Sequence, residues 1–289
     1  MPDLDAGRDL LHGMGWALAL GFAFALALAV LMPSRRCHKA VALAAVLMVP
    51  LLGLAWESWL VHDVRRTRTQ AVALFEARCR TAGTRIYRTV DKVEGVLLMK
   101  RRAPAVNLAN QYAMTDPYGE DLSGDGYALT FLWGRNADGH VEPTAPPPLG
   151  YRYVVMANED GHGYTRFEAG KGPRDEGGVL PVLRGPAERL PRYAITWEDI
   201  SSRADRDHWI AGSRLMILDT RTGEVLAERI GWMWDDAMGA TEGARHPWAG
   251  AAAHACPRFP QADGGLPYRV GQTRNFAEQV LKPLRDDVH

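Results

Sequence analysis

Two long apolar runs dominate the start of the chain. Residues 14–32 form a stretch of 19 without a charge, and residues 40–56 a stretch of 17 that continues past Glu57 to Val61. At about 1.5 Å of rise per residue, each helix would cover much of a hydrocarbon layer of roughly 30 Å. The connector at 33–39 carries Arg35, Arg36 and Lys39. The pattern predicts an N-terminal two-helix transmembrane hairpin over residues 1–61, with spans at about 14–32 and 40–61. A soluble domain is expected over residues 62–289. A cleaved signal peptide fits less well, because Asp3, Asp5 and Asp9 outweigh Arg8 where a basic region belongs.

Beyond the anchor the periodicity changes. Val72, Phe75, Cys79 and Ala82 recur at three- and four-residue steps and predict a helix over 64–82, stopped by Gly83. Residues 84–90, 95–100 and 127–133 are rich in β-branched and aromatic side chains and are expected to be strands. Residues 151–157 and 164–168 flank Asp160-Gly161 and predict a hairpin. Residues 193–197 read as a further strand, followed by a polar turn of helical character at 199–206. The clearest unit is a hairpin whose arms, 214–219 and 224–231, flank a turn ending in Gly223. A final helix is expected over 273–281, capped by Thr273. The segments 143–150 and 170–178, rich in proline and glycine respectively, are expected to be irregular. Together these elements predict an α+β fold with a largely antiparallel sheet and flanking helices.

Orientation of the predicted anchor follows from charge and aromatic placement. The basic connector favours the cytoplasmic side, and Trp16, Trp56 and Trp59 then fall near the opposite interface. Arg65, Arg66 and Arg68 pull the other way. The cysteines weigh against them. With the domain outside the cytoplasm, Cys79 and Cys256 share an oxidising compartment while Cys37 does not, so a Cys79–Cys256 disulfide is expected. The alternative is that both are small buried apolar residues.

Charge narrows the choice of partners. The chain holds 34 basic and 34 acidic residues, and the segment 62–289 is balanced as well. No global field favours nucleic acid, and no nucleic-acid partner is expected.

Candidate chemistry is sparse. Asp121, Ser123 and Asp125 fall at alternate positions before Gly126, as in a calcium loop, but Leu132 stands where the bidentate glutamate belongs. His246 and His254 lie near Asp235, Asp236 and Cys256 without a compact metal-site spacing. Gly212-Ser213 lacks the second glycine of a nucleophile elbow. Ser201, Ser202, Asp199, Asp205 and His208 contain the residue types of a catalytic triad, with helix capping as the plainer reading. No catalytic residue, metal or cofactor is assigned. Trp232, Trp234 and Trp248 form a candidate binding face, and the alternative is that they fill the core.

The sequence thus reads as a membrane-anchored interaction or assembly protein of a bacterial-type cell envelope. It is expected in the cytoplasmic (inner) membrane with its domain outside, contacting the lipid bilayer and other envelope or membrane proteins. Two alternatives remain at this point: a membrane-anchored extracytoplasmic hydrolase, and a cytosol-facing tethered sensor with Cys79 and Cys256 reduced.

Overall fold

The structure is a computed structural model. It describes residues 36–103, 106–119, 122–133, 150–170, 182–261 and 269–284. The chain divides into two compact units, 1–67 and 68–289.

The predicted hairpin is not borne out. Among the described residues no helix is long and apolar enough to cross a membrane. The first arm, 14–32, lies outside the described residues, as do Trp16 and Arg35. The second arm is not an element of its own. It falls within α1 (Arg36–Cys79), which starts at Arg36, includes Lys39, and carries Glu57, Asp63, Arg65, Arg66 and Arg68 after its apolar stretch. Trp56 and Trp59 are exposed on α1, with ring centroids 5.5 Å apart.

The second unit is built on a nine-stranded sheet. Its strands are β1 (Gly83–Ile86), β3 (Gly95–Leu98), β4 (Tyr153–Ala157), β5 (Tyr164–Ala169), β6 (Val182–Pro186), β7 (Tyr193–Asp199), β8 (Ile210–Asp219), β9 (Glu224–Trp234) and β10 (Ala255–Cys256). The order is β1-β9-β8-β7-β3-β4-β5-β6, with β10 also paired to β9. Two further strands, β2 (Val90–Val93) and β11 (Leu281–Pro283), form a small parallel pair.

The sheet is mixed: six of its eight strand pairings are antiparallel, in line with the expectation, and two are parallel. β3 lies at its centre and runs parallel to both β4 and β7. All four β3 residues are buried, as expected of a parallel strand covered on both faces. The chain passes from β3 to β4 by way of α2 (Gly124–Trp133), the kind of long crossover a parallel pair requires. α2 is a second correction, since 127–133 was expected to be a strand. Tyr127, Ala128, Phe131 and Leu132 are all buried, and a short apolar run covered on several sides has no period that separates helix from strand.

The remaining elements follow their local chemistry. The β8–β9 hairpin closes through Gly223 at φ 72°. α3 (Arg203–Asp207) begins with a capping box, in which Ser202 accepts from the Asp205 N–H and Asp205 accepts from the Ser202 N–H. α4 (Pro247–Gly250) is a single turn with proline at its start. α5 (Gln272–Val280) covers the expected C-terminal helix, but Gly271 at φ 77° holds the cap position rather than Thr273. The main core gathers α2 and α5 side chains, among them Tyr127, Phe131, Phe276 and Val280, against Val96, Val154, Ile195 and Leu215 of the sheet.

An ionic cluster on β9 links β1 to β8. Glu228, buried, accepts hydrogen bonds from Tyr87 Oη (2.8 Å), Arg85 Nη1 (2.9 Å) and Arg214 Nε (2.7 Å). The Tyr87 hydroxyl and the two guanidinium groups outweigh the burial cost and hold its carboxyl at about 2. The unfolded chain keeps the ordinary value of 4.5. The stabilisation is therefore fully present above pH 4.5 and is lost as pH falls towards 2. Glu228→Gln is expected to lower stability at pH 7 by about 2–3 kcal/mol and to flatten the acid limb between pH 4.5 and 2, as urea titrations at stepped pH would read.

Candidate functional site

The residues that create a cleft come from separate parts of the second unit. β3 ends at Leu98, and the chain then turns through Lys100, Arg101 and Arg102. β7 supplies Trp197. The segment 106–119 supplies one wall, the residues before α2 another, and Val270 a third. The cleft has a volume of about 630 Å³ and is lined by Arg101, Arg102, Val106, Leu108, Met114 and Trp197, among others.

Arg102 is buried and held from several sides. Its guanidinium lies 4.3 Å from the Trp197 ring centroid and 5.1 Å from that of Tyr127. One nitrogen, Nη2, donates to Asp116 Oδ2 at 2.7 Å and to Thr273 Oγ1 at 3.1 Å. Asp116 also accepts from Ser213 Oγ and from the Gly119 N–H at 3.1 Å. Burial on its own would push the Asp116 carboxyl up. The nearby Arg102 charge, the Ser213 hydroxyl and the Arg229 charge reverse that and hold it below the ordinary carboxylate range. The acid is thus ionised and fully enclosed, and the floor of the cleft is a fixed ion pair.

The wall at 106–119 has no regular secondary structure but is pinned along its length. Arg206 Nη2 donates to the Met114 carbonyl at 2.6 Å, and Arg206 Nη1 to the Gln111 carbonyl at 3.2 Å. Trp248 Nε1 donates to the Asn110 carbonyl at 2.9 Å. Tyr112 Oη meets Asp207 at 3.0 Å. Such anchoring gives the cleft a shape before any ligand arrives.

No family model, curated protein or solved structure matches this chain.

The residues singled out from sequence take other places. Trp232, Trp234 and Trp248 are all buried and do not form one exposed face. Trp232 and Trp234 pack with Ala71 of α1, whereas Met233 turns the other way into the cluster that contains Trp248. Cys79 and Cys256 form a disulfide. Ser201 Oγ accepts from the Gly212 N–H at 2.8 Å, and Ser202 and Asp205 are engaged in the cap of α3. His208 Nδ1 lies 2.9 Å from the Ala204 carbonyl oxygen, not beside a serine. His246 precedes α4 without a side-chain capping bond. His254 approaches Asp236 at 3.9 Å on the surface. Asp121 lies outside the described residues, and Asp125 bonds Arg101 and Arg184. Among the described residues no group of three or more His, Cys, Asp or Glu side chains could hold a metal ion.

Arg101, Arg102, Asp116 and Trp197 went unremarked in the sequence because no motif joins them. One signal was present. Lys100-Arg101-Arg102 follows, after Met99, on a strand with no polar side chain, so a basic cluster had to emerge at the edge of the core.

Proposed function

We propose that residues 68–289 form a non-covalent binding domain that works in an oxidising compartment outside the cytoplasm and takes a small-molecule ligand in the cleft lined by Arg101, Arg102 and Trp197. The observation that carries this reading is the cleft itself. It is concave, walled largely by apolar side chains, and has a small number of fixed polar groups, the usual composition of a small-molecule site. The pinned wall supports it, since a preformed site spends less of its binding energy on ordering. The Cys79–Cys256 bridge supports the compartment, because such bridges persist where thiols are not kept reduced. The interaction role expected from the sequence is kept, with the cleft in place of the tryptophan face. The Ser201, Ser202, Asp205 and His208 side chains are engaged in capping and backbone contacts, and they favour no catalytic reading.

The test is a thermal-unfolding screen of the full chain against small apolar acids, alcohols and amines. A ligand at about 100 times its Kd should add about 2.7 kcal/mol. Ala113 lines the cleft, and Ala113→Phe should fill it. Stabilisation lost in that variant is the expected result. Stabilisation that persists undiminished would place the ligand elsewhere and overturn the reading.

A further inference from the structure

We infer that the ligand of the cleft is a small molecule with an apolar body and a single carboxylate, and that the carboxylate docks on Arg101. This rests on the reading of the cleft as the binding site and adds the chemical class of its occupant.

The argument starts from an acid that serves two bases. Asp125 accepts from Arg101 Nη2 through one oxygen and from Arg184 Nη1 at 2.6 Å through the other. Two guanidinium groups thus share one carboxylate, and the trio keeps one positive charge in excess. Of the two bases, Arg101 lines the cleft, and its side chain is 17% exposed. Its Nε is buried and makes no hydrogen bond. A buried donor left unmet is costly. A second carboxylate arriving through the cleft would balance the charge and engage donors that Asp125 leaves unused. The planar fork of arginine suits such a group better than a point charge does.

Two further features agree. Leu122 and Ser123 line the cleft immediately before α2 begins at Gly124, and the N-terminus of a ten-residue helix favours negative charge. Apart from the Arg102–Asp116 pair and the neutral Thr115 and Ser123, the rest of the lining is apolar and suits a ligand with one charged group. Val106, Leu108, Met114, Leu122 and Val270 offer no partner, so a second charge would be desolvated without compensation. Arg102 does not duplicate Arg101, because Asp116, Thr273 and the two aromatic rings already fix it.

The experiment is isothermal titration of the full chain with octanoate, 1-octanol and octylammonium, three probes that share a tail and differ in head group. Octanoate is expected to bind at least about tenfold more tightly than the other two. Arg101→Gln should reduce octanoate to the level of octanol. Arg101→Lys keeps the charge but not the fork, and should fall between. Unfolding curves of both variants establish that they are folded. Equal binding of octanol and octanoate, tighter binding of octylammonium, or octanoate binding indifferent to Arg101→Gln would each overturn the carboxylate inference while leaving the cleft as a binding site. Binding of none of the three would overturn it as well, and the Ala113→Phe screen then decides separately on the site.

Discussion

Replacing Asp116 by alanine is expected to destabilise the protein by about 3–5 kcal/mol, the range for removing one partner of a buried ion pair. The acid is fully enclosed and bonds Arg102, Ser213 and the Gly119 N–H, so its loss takes the balancing charge from a buried guanidinium and an acceptor from a buried hydroxyl together. For a domain of this size that is a fall in Tm of roughly 10 °C. The double variant Asp116→Ala, Arg102→Met should recover part of the loss, because it also removes the buried charge that Asp116 balances. Urea unfolding of the two single variants and the double variant closes the cycle. A coupling energy near zero would mean that the floor of the cleft is not held by this pair.

The second large effect concerns the disulfide. Cys79 ends α1, Cys256 lies in β10, and 177 positions separate them in sequence. A bridge closing so long a loop removes a great deal of freedom from the unfolded chain, and its loss is expected to cost about 2–5 kcal/mol. The double variant Cys79→Ser, Cys256→Ser should show that loss without any reductant. The wild-type chain should show it only when reduced, and the variant should not respond to reductant at all. Arg78, one residue before the bridge, bonds Asp205 through two contacts of 2.8 and 2.9 Å, so this end of α1 stays tethered in the variant. Equal unfolding midpoints for oxidised and reduced wild type would contradict the stabilising role.

The cysteine pair and the β8–β9 hairpin were legible because each depends on few residues. Two cysteines in one segment have a single pairing. A hairpin needs only a turn glycine and two arms in alternation, and its register follows from Gly223 and the facing strands. The capped turn at Ser202 was legible for the same reason. Strand β3 and helix α2 were harder. Val96, Leu97 and Leu98 were expected in a strand, but nothing local says that the strand is central and parallel to both neighbours. That depends on the crossover through α2, whose buried all-apolar sequence hides its period. The apolar stretch at 40–56 misled in another way. Its length suggested a separate span, whereas α1 runs on through a charged segment to Cys79.

The cleft was the least legible feature. Its lining comes from residues 101–103, 106, 108, 113–116, 122–123, 197 and 270, which only the fold brings together. Arg101 and Arg102 are adjacent in sequence yet differ in environment. Arg102 is closed in by aromatic rings and Asp116, while Arg101 shares Asp125 with Arg184. No periodicity or motif separates such neighbours. Their different roles follow from burial and partners alone.

The central claim is that ligand occupies this cleft, and the indole N–H resonance of Trp197 reports on it most directly. The full chain would be labelled with nitrogen-15, the resonance assigned with Trp197→Phe, and octanoate added stepwise. A saturable shift of the Trp197 signal, with the same Kd as calorimetry gives, is the predicted result. A Trp197 signal that stays fixed while another tryptophan moves would place binding elsewhere and contradict the account.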